Sequence, residues 1–445
     1  MNRIAGTQIL AAAIVFFCSA VSYASPYKGN ANKAIAQINK PAIKEQVKQG
    51  AETLWQKLSD KKKSGKTQGE KASDEKKGVV QLDVGLLKGQ YSVAALSSRG
   101  LVISDLASGK ILNKFSGKDT VSFTYKNRQL CINRKPISAQ RIILRADGAN
   151  ITVNGDEYRG EIVLVCGNGG ITVVNRVDLE SYVKGVVGTE MSPDWPGEAL
   201  KAQAVAARTF SLYTKNEGKH QGDGYNICAG THCQVYGGTK DESSSVTRAV
   251  DDTRGEIITY DGKPIYAAFH TDSGGRTAAS REVWGGELKY LISVEDPSGA
   301  PNRHWQVTMT AEQMAAKLKA AGKDVGTLKK ISLSPLNLKK AGSGDRYASG
   351  RPARIVFTGS KRSVTINGTQ ARSIFGLKSA LFDFEPGRKG NDLKINSGQK
   401  IKIDGFGFGH GIGLSQWGAK SMSAKKDYKS ILHHYYNGVT ITKIY

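Results

Sequence analysis

The sequence predicts an α+β protein in which a β-rich N-terminal region is followed by a mixed region with one long helix. Short runs rich in valine and isoleucine alternate with glycine turns from residue 79 to residue 175, a pattern typical of closely spaced strands. An alanine-rich helical segment follows at 196–215, and strands and helices then continue to the end of the chain. With 445 residues, the chain is long enough for two or three domains with sizeable cores.

Residues 1–24 have the pattern of a secretion signal. Arg3 precedes an apolar run at 9–21, and S-Y-A at 22–24 supplies the small residues of a cleavage site. The apolar run is too short to cross a membrane, and no other segment has the composition to do so. We therefore expect an exported protein in a periplasm or at a cell surface, with no membrane span after the signal is removed.

Residues 25–78 are predicted to be a flexible basic tether, because runs such as D-K-K-K-S-G-K-T-Q-G-E-K are too polar to bury. The tether has 13 lysines against 6 acidic residues, and the whole chain has a net charge of +25. Removing the tether (+7) and the signal (+1) leaves +17 on residues 79–445. Such a charge favours an anionic partner. Outside the cytoplasm the abundant polyanion is the cell wall, and export argues against nucleic acid.

The remaining chain is divided into a β-rich region at 79–170 and a mixed region at 171–445, with a β-rich insertion at about 325–403. Pro196 suits the first turn of the long helix, and Gly218 suits its end. Asp261-Gly262 is a strong hairpin signal, and the final V-T-I-T-K-I-Y is predicted to be a strand. Helices are predicted at 179–187, 196–215, 310–321 and 427–436.

The segment V-V-G-T-E-M-S-P-D-W-P at 186–196 places one acid, Glu190, in a turn ahead of the long helix. A carboxyl group beside apolar neighbours has a raised pKa and can deliver a proton near neutral pH, as glycosidic bond cleavage requires. Alternatively, Glu190 caps the following helix. Neither helix nor strand geometry forces the acids nearby in sequence to face Glu190. These acids are Asp178, Glu180, Asp194 and Glu198.

Three further residues of this stretch are candidates for substrate contact. Trp195 either stacks on a sugar face or packs at the start of the helix. Gln203 and Arg208 interrupt an otherwise apolar helix, so they either face solvent or line a groove. We expect the groove.

The segment Y-N-I-C-A-G-T-H-C-Q-V-Y at 225–236 contains a candidate metal site. Cys228, His232 and Cys233 offer three ligands of the kind that zinc prefers. The fourth ligand is not obvious, and His220 and His270 are both candidates.

A disulfide framework is the competing interpretation. Cys18 leaves with the signal, and the remaining even number of cysteines in an exported chain favours disulfides. These would be Cys228–Cys233 and Cys131–Cys166. Gln234 and Tyr236 follow at alternate positions of a predicted strand and are expected to reach a substrate.

Two glycine-rich segments complete the candidate site. Ser273 begins a tight S-G-G turn after His270, and we expect this turn to shape a groove. Glycine then occupies every second position of G-F-G-F-G-H-G-I-G from residue 405, without the spacing of a dinucleotide-binding loop. We predict a strand with one bare face, with His410 in the apolar row of the other. Gln416 and Trp417 follow as groove candidates.

These four blocks, at 186–210, 225–238, 270–286 and 405–419, resemble the SpoIID/LytB family, which comprises stage II sporulation protein D and the amidase enhancer LytB. The resemblance covers about residues 80–445. It implies that Glu190, in a G-x-E-M motif, is the catalytic acid of a lytic transglycosylase that cleaves MurNAc–GlcNAc bonds in denuded peptidoglycan glycan strands. One glutamate would donate and then accept a proton, while the 6-hydroxyl of the sugar closes a 1,6-anhydro ring.

The resemblance also implies which residues contact the substrate and which partners the protein has. No cofactor is required for the chemistry, although a structural zinc ion is compatible with the cysteine-rich segment. The alternative is a non-catalytic glycan-binding protein that enhances an N-acetylmuramoyl-L-alanine amidase. The expected substrate contacts are Trp195, Gln203, Arg208, Gln234, Tyr236, His270, Ser273, His410, Gln416 and Trp417.

Overall fold

The computed structural model describes residues 79–167, 169–301, 303–338 and 342–445. The predicted secretion signal and tether lie outside these residues. In the described part of the chain, even the longest helix lacks the continuous apolar stretch that a bilayer crossing requires. Both helices and strands are abundant and several separate sheets are present, so the predicted α+β class is confirmed.

The first part of the fold consists of two largely antiparallel sheets. The seven-stranded sheet has the order β13-β1-β12-β11-β8-β3-β4, and the six-stranded sheet has the order β10-β9-β2-β5-β6-β7. The strands are β1 Gln81–Gln90, β2 Ser92–Leu96, β3 Leu101–Asp105, β4 Ile111–Phe115, β5 Val121–Lys126, β6 Gln129–Ile132, β7 Lys135–Ile137, β8 Arg141–Arg145, β9 Ile151–Val153, β10 Asp156–Tyr158, β11 Glu161–Gly167, β12 Gly170–Asp178 and β13 Ile227–Cys228.

Alternating residues of both sheets enter one hydrophobic core. Leu82 and Val84 of β1 are buried with Val93 and Phe123, which pair across β2 and β5. This alternation is expected for strands with one buried face. The same core continues into the helices that follow β12, so the sheets and the first helix pack around one shared core.

Helix α1 (Leu179–Glu190) begins at its N-cap Asp178, whose carboxylate accepts a hydrogen bond from the Ser181 N–H at 3.0 Å. The sequence predicted an end at residue 187, whereas the helix continues to Glu190. Gly185 and Gly188 explain the difference. A Cβ at either position would lie 2.4 Å or less from a carbonyl oxygen of the 238–241 segment. These glycines therefore permit close packing and do not end the helix.

Helix α2 (Gly197–Glu217) follows Pro196 and ends at Gly218, which adopts the left-handed conformation with φ of 63°. The expected ends are therefore confirmed to within two residues. Helix α3 (Ser244–Asp252) packs beside it. Most of α2 is buried, including its run of alanines, so it is the central helix of the first core.

The predicted hairpin follows α3. Strands β14 (Glu256–Tyr260) and β15 (Lys263–Pro264) flank Asp261 and Gly262, which have φ of 49° and 72°, as the turn requires. Later elements return to this region. They are β16 Phe269–His270, α4 Ser280–Val283, β24 Leu414–Ser415, α7 Gln416–Met422, α8 Tyr428–Tyr435 and β25 Thr440–Lys443, which pairs with β14.

A second hydrophobic core lies within residues 304–406, which we call the inserted module. Its two sheets have the orders β17-β23-β21 and β20-β19-β18-β22, and the buried phenylalanines Phe357, Phe382 and Phe384 pack inside it. The elements are β17 His304–Thr310, α5 Ala311–Ala320, β18 Leu328–Ser332, β19 Ile355–Gly359, β20 Ser363–Ile366, α6 Gly368–Phe375, β21 Phe382–Phe384, β22 Asp392–Lys394 and β23 Lys400–Phe406.

Helix α6 was not expected from the sequence. It is short, but Asn367 and Gln370 form a reciprocal capping box and Gly376 ends the helix with φ of 71°. The N-x-x-Q spacing at the start of this helix and the glycine at its end are sequence signals that predict it. The first strand of the module, β17, pairs along its length with the last strand, β23. The chain therefore enters and leaves the module on neighbouring strands.

The glycine-rich segment after β23 differs from its prediction. The strand ends at Phe406, and Gly407, Gly409, Gly411 and Gly413 all have positive φ, from 70° to 107°. The prediction of a strand with one bare face is therefore wrong. Glycine alternates because this loop needs left-handed backbone at every second residue, and because a Cβ at Gly413 would lie 2.1 Å from the Ala268 carbonyl oxygen.

Candidate active site

Glu190 is the last residue of α1, and its carboxylate is half-buried between two hydrogen-bond donors. Oε1 accepts from the backbone N–H of Val235 at 3.2 Å, and Oε2 accepts from the side-chain amide of Gln416 at 3.2 Å. The alternative that Glu190 caps the next helix is wrong, since the N-cap of α2 is Pro196 and no side chain caps it.

Burial raises the pKa of Glu190 above its ordinary value, and the two donors oppose this effect only in part. The position at the C-terminal end of α1 also disfavours a negative charge, because the helix dipole is negative there. Glu190 is thus suited to hold a proton that it can give to a bound molecule.

The neighbouring acids are engaged elsewhere. Asp178 caps α1, Glu180 binds Arg208, and Glu198 accepts from the Tyr428 N–H at 2.8 Å. Asp194 is exposed. None of these four acids is a hydrogen-bond partner of Glu190 in the described part of the chain, where its carboxylate accepts from Val235 and Gln416.

Two tryptophans pack against each other near Gln416, the side-chain donor to Glu190. Trp417 follows Gln416 in α7, and its ring meets that of Trp195 edge-on, with centroids 4.9 Å apart. The Lys420 ammonium lies 4.5 Å from the Trp417 centroid and 4.9 Å from the Trp195 centroid. Trp195 also packs against the first core, which matches the packing alternative for this residue. No sequence pattern had pointed to Lys420.

The cysteine-rich segment forms a four-residue cluster of His220, Cys228, His232 and Cys233, whose ligand atoms all lie within 4.8 Å of one another. The Cys233 sulfur lies 3.2 Å from His220 Nε2 and 3.5 Å from His232 Nδ1, and the Cys228 sulfur lies 3.6 Å from His232 Nδ1. These separations suit tetrahedral zinc with bonds of about 2.0–2.3 Å. Hydrogen bonding from Cys233 and His232 lowers the pKa of Cys228 to about 4.

His220 thus completes the set, and His270 does not. The other ring nitrogen of His220, Nδ1, lies 3.3 Å from Asp223 Oδ2, a contact that orients a histidine ligand. The cluster adjoins the acid, because Val235, which donates to Glu190, lies two residues after Cys233. A fixed cluster would therefore fix one of the two donors.

All four cysteines of the described structure are free. The predicted Cys131–Cys166 disulfide is wrong because one side chain faces away from the hydrophobic core and the other faces toward it. Cys131 alternates with the buried Leu130 and Ile132 and so points away from the core, whereas Cys166 packs against the core. The predicted Cys228–Cys233 disulfide is also absent, and both thiols belong to the histidine-containing cluster.

Several predicted substrate contacts are buried structural residues. Arg208 is 0% exposed and forms a bidentate pair with Glu180, at 2.9 and 2.7 Å. Gln203 is also 0% exposed, and neither of its amide atoms has a hydrogen-bond partner among the described residues. The expectation that these two residues line a groove is therefore wrong. Both polar side chains instead occupy buried positions of α2.

The same correction applies to Gln234 and Tyr236. Gln234 donates to the Ser211 hydroxyl at 2.9 Å, and the Tyr236 hydroxyl donates to Asn175 at 2.9 Å. Both side chains are buried. They hold the segment that carries the Val235 N–H, a donor that no side-chain pattern could have revealed.

His270 and Ser273 are buried as well, so direct substrate contact is wrong for both. His270 Nδ1 lies 3.1 Å from the Ile412 carbonyl, and Ser273 donates to Asp296. His410 is half-buried near His270, and burial lowers the pKa of His410 to about 4. It is therefore neutral at ordinary pH and remains a candidate contact, together with Trp417.

Comparisons with known proteins identify a family and several relatives of this chain. Residues 167–260, which include Glu190 and the cysteine–histidine cluster, match the family described as Stage II sporulation protein. Residues 286–413, which include the inserted module, match a domain of unknown function (DUF8618).

Similar proteins include Stage II sporulation protein D of Bacillus amyloliquefaciens, with 34% identity over 288 residues, 61% of this chain and 76% of that protein. An uncharacterized protein of Brachyspira hyodysenteriae is 34% identical over 359 residues, 80% of this chain and 88% of that protein. The Amidase enhancer of Bacillus subtilis is 31% identical over 299 residues, 58% of this chain and 40% of that protein. The chain therefore belongs to the stage II sporulation protein D family.

Proposed function

We propose that the protein is an exported lytic transglycosylase that acts on the glycan strands of peptidoglycan, with Glu190 as the acid and base. The observation that carries the proposal is the half-buried Glu190 carboxyl group, with its raised pKa, held between Val235 and Gln416. A cell-wall role agrees with the names of the relatives, which are a sporulation protein and an amidase enhancer.

The proposed reaction needs one carboxyl group. Protonated Glu190 gives its proton to the oxygen between MurNAc and GlcNAc as the bond to the anomeric carbon breaks. The 6-hydroxyl oxygen of the same MurNAc then bonds to that carbon, and its proton passes to the Glu190 carboxylate. The products are a 1,6-anhydro end and a free 4-hydroxyl, and the enzyme regains its proton. Val235 and Gln416 stabilise the carboxylate between these two transfers.

Charge supports an anionic polymer as the substrate. The inserted module has 19 lysines and arginines against 7 acidic residues, a net charge of +12, within the +17 of residues 79–445. Peptidoglycan strands from which the peptides have been removed expose lactyl carboxylates, so we propose denuded strands as the preferred substrate. The basic module would concentrate such strands near Glu190.

We also propose that the cysteine–histidine cluster holds one structural zinc ion. Two thiolates and two imidazoles form a closed site, which is typical of structural zinc. Zinc would supply a cross-link among the segments at 220 and 228–233, while the chemistry remains with Glu190.

The decisive experiment compares wild type with Glu190→Gln on denuded and peptide-bearing glycan strands, with mass analysis of the products. We expect anhydro-ended fragments from wild type on denuded strands and a loss of about 10²–10⁴-fold in the variant, the usual contribution of a general acid. Asp194→Asn, which alters an exposed acid close by, is the matched control. Equal anhydro products from wild type and Glu190→Gln would disprove the assignment, and reducing ends would indicate plain hydrolysis.

A second candidate function is the enhancement of a cell-wall amidase, which the name of the Bacillus subtilis relative favours. In that case neither protein would release fragments, and wild type and Glu190→Gln would stimulate an N-acetylmuramoyl-L-alanine amidase equally. The same pair of proteins therefore separates the two functions.

A further inference from the structure

A cavity of about 310 Å³ lies beside the candidate active site. One of its walls is Trp417, which follows the residue whose amide holds Glu190. The volume is at the lower end of the range for small-ligand pockets, about 300–1,000 Å³. The residues that line it are Thr271, Asp272, Ala300, Pro301, Lys378, Phe408 and Trp417.

Phe408 is the unusual member of this set. It is 51% exposed although it is a large apolar residue in a densely bonded loop. Its backbone N–H donates to the Asp272 carbonyl at 2.8 Å, and its carbonyl accepts from the Asp272 N–H at 3.1 Å. Gly407 and Gly409, with φ of 79° and 107°, flank it in conformations that other residues rarely adopt. The loop therefore holds the Phe408 backbone in place, with its aromatic side chain at the cavity.

The same loop also anchors the backbone of a lysine there. The Gly409 N–H donates to the Lys378 carbonyl at 3.0 Å, which ties the Phe408 loop to the inserted module. The Lys378 side chain is exposed, and Asp272, the acid among the cavity residues, is only 3% exposed. The cavity thus combines two aromatic side chains with one accessible positive charge.

We propose that this cavity is a sugar subsite that binds a MurNAc ring, with Phe408 and Trp417 against the faces of the sugar and Lys378 opposite the lactyl carboxylate. The proposal rests on the proposed function, since the neighbouring Glu190 defines the polymer. Aromatic side chains suit the flat apolar faces of sugar rings, and an ammonium group attracts a carboxylate. An aromatic side chain on an anchored backbone has only two torsion angles to restrict on binding, so it loses little conformational freedom. Lys378 gives the inserted module a direct part in specificity.

The test is binding in the Glu190→Gln background, which separates affinity from cleavage. Two probes are titrated: an uncharged β-1,4-linked GlcNAc tetramer and a peptide-free GlcNAc–MurNAc tetramer. Phe408→Ala is expected to weaken both about tenfold, a loss typical of an exposed stacking contact. Lys378→Gln is expected to weaken only the MurNAc tetramer, by about fivefold, and to reduce the salt dependence of its binding.

Two control variants match these changes. Tyr91→Ala removes an aromatic side chain that is 77% exposed, and Lys389→Gln removes an exposed lysine of the same module. Both should bind like the parent, and thermal unfolding should show that all four variants fold. Unchanged affinity in Phe408→Ala would overturn the subsite. Equal effects of Lys378→Gln on both probes, or no effect on either, would overturn the recognition of the carboxylate.

The outcome for the subsite is distinct from the outcome for the proposed function. If Glu190→Gln still cleaves glycan strands, the acid is wrongly assigned, and binding to the cavity is then measured with the uncleaved GlcNAc tetramer. If wild type cleaves and Phe408→Ala binds normally, the function stands and the subsite does not.

Discussion

Gln416 donates its side-chain amide to the Glu190 carboxylate at 3.2 Å, although 226 positions separate the two residues. Glu190 ends α1, and Gln416 begins α7 after the inserted module has been completed. The contact joins the beginning and the end of the candidate active site. It also gives the most direct means of changing the pKa of the acid without removing it.

Gln416→Leu should raise the pKa of Glu190 further. A hydrogen bond to a charged group contributes about 1.5–3 kcal/mol, and one pKa unit corresponds to about 1.4 kcal/mol. The alkaline limb of the pH–activity profile should therefore move up by about one unit. Gln129→Leu, which changes an exposed glutamine of β6, should leave the limb in place. An unmoved limb in Gln416→Leu would show that the amide does not act on the acid.

Activity and stability should respond to pH through Glu190 in a defined direction. Because the pKa of Glu190 in the folded state is raised, activity should fall as pH rises through that raised value, since the acid must be protonated. For the free energy of unfolding, the stabilising contribution of Glu190 is fully present below about pH 4.5 and is lost as pH rises through the folded-state pKa.

The direction of this pKa shift also predicts the melting temperature of a variant relative to wild type. Glu190→Gln should have a melting temperature higher than wild type at pH 7, with the difference disappearing near pH 4. Thermal unfolding at the two pH values measures this effect. A wild type that is stabilised relative to the variant as pH rises would contradict the direction of the pKa shift.

Metal content should follow the four-residue cluster. Purified wild type should contain about one zinc ion per chain, and Cys233→Ser should lose it, as measured by elemental analysis. Zinc present at a thousandfold excess over Kd stabilises a folded protein by about 4 kcal/mol, so its removal by a chelator should lower the melting temperature by roughly 10 °C. Cys131→Ser changes a free cysteine outside the cluster and should retain the metal. An equal zinc content in both variants would place the metal elsewhere.

Breaking the buried ion pair between Arg208 and Glu180 should destabilise the first core. Arg208→Met leaves the Glu180 carboxylate buried without its partner, which typically costs about 3–5 kcal/mol. Chemical denaturation measures the loss. The double variant Arg208→Met/Glu180→Gln should recover part of it, because no unpaired charge remains. A cost below 1 kcal/mol in the single variant would show that solvent reaches this pair.

Positive φ in the glycine loop should make substitution costly where the loop is also crowded. Gly407→Ala combines φ of 79° with a Cβ that would lie 2.5 Å from the Asp272 carbonyl oxygen. We expect a loss above the range of about 1–3 kcal/mol that is typical of strain alone. Gly398→Ala has a similar φ of 74° and nothing within 4 Å of the added Cβ. Equal losses in the two variants would show that crowding contributes nothing.

Much of the local structure followed from the sequence. Pro196 and Gly218 marked the ends of α2, Asp261-Gly262 marked a hairpin, and the pattern at 427–436 marked α8. Each of these signals acts through the backbone of a few neighbouring residues, so one stretch of sequence is enough to read it. The glycines of α1 and of the 405–413 loop led to wrong predictions. Glycine is needed there because residues that are distant in sequence pack closely against these positions.

The sequence by itself determined the α+β class, the one acid in its motif and the three neighbouring candidate metal ligands Cys228, His232 and Cys233. Tertiary structure alone decided that Arg208 is an internal partner of Glu180, that His220 is the fourth member of the cluster, and that Val235 and Gln416 hold Glu190. The physical reason is that burial and hydrogen bonding depend on which chain segments meet. Identity and spacing along the chain cannot show whether a polar side chain faces solvent or a buried partner.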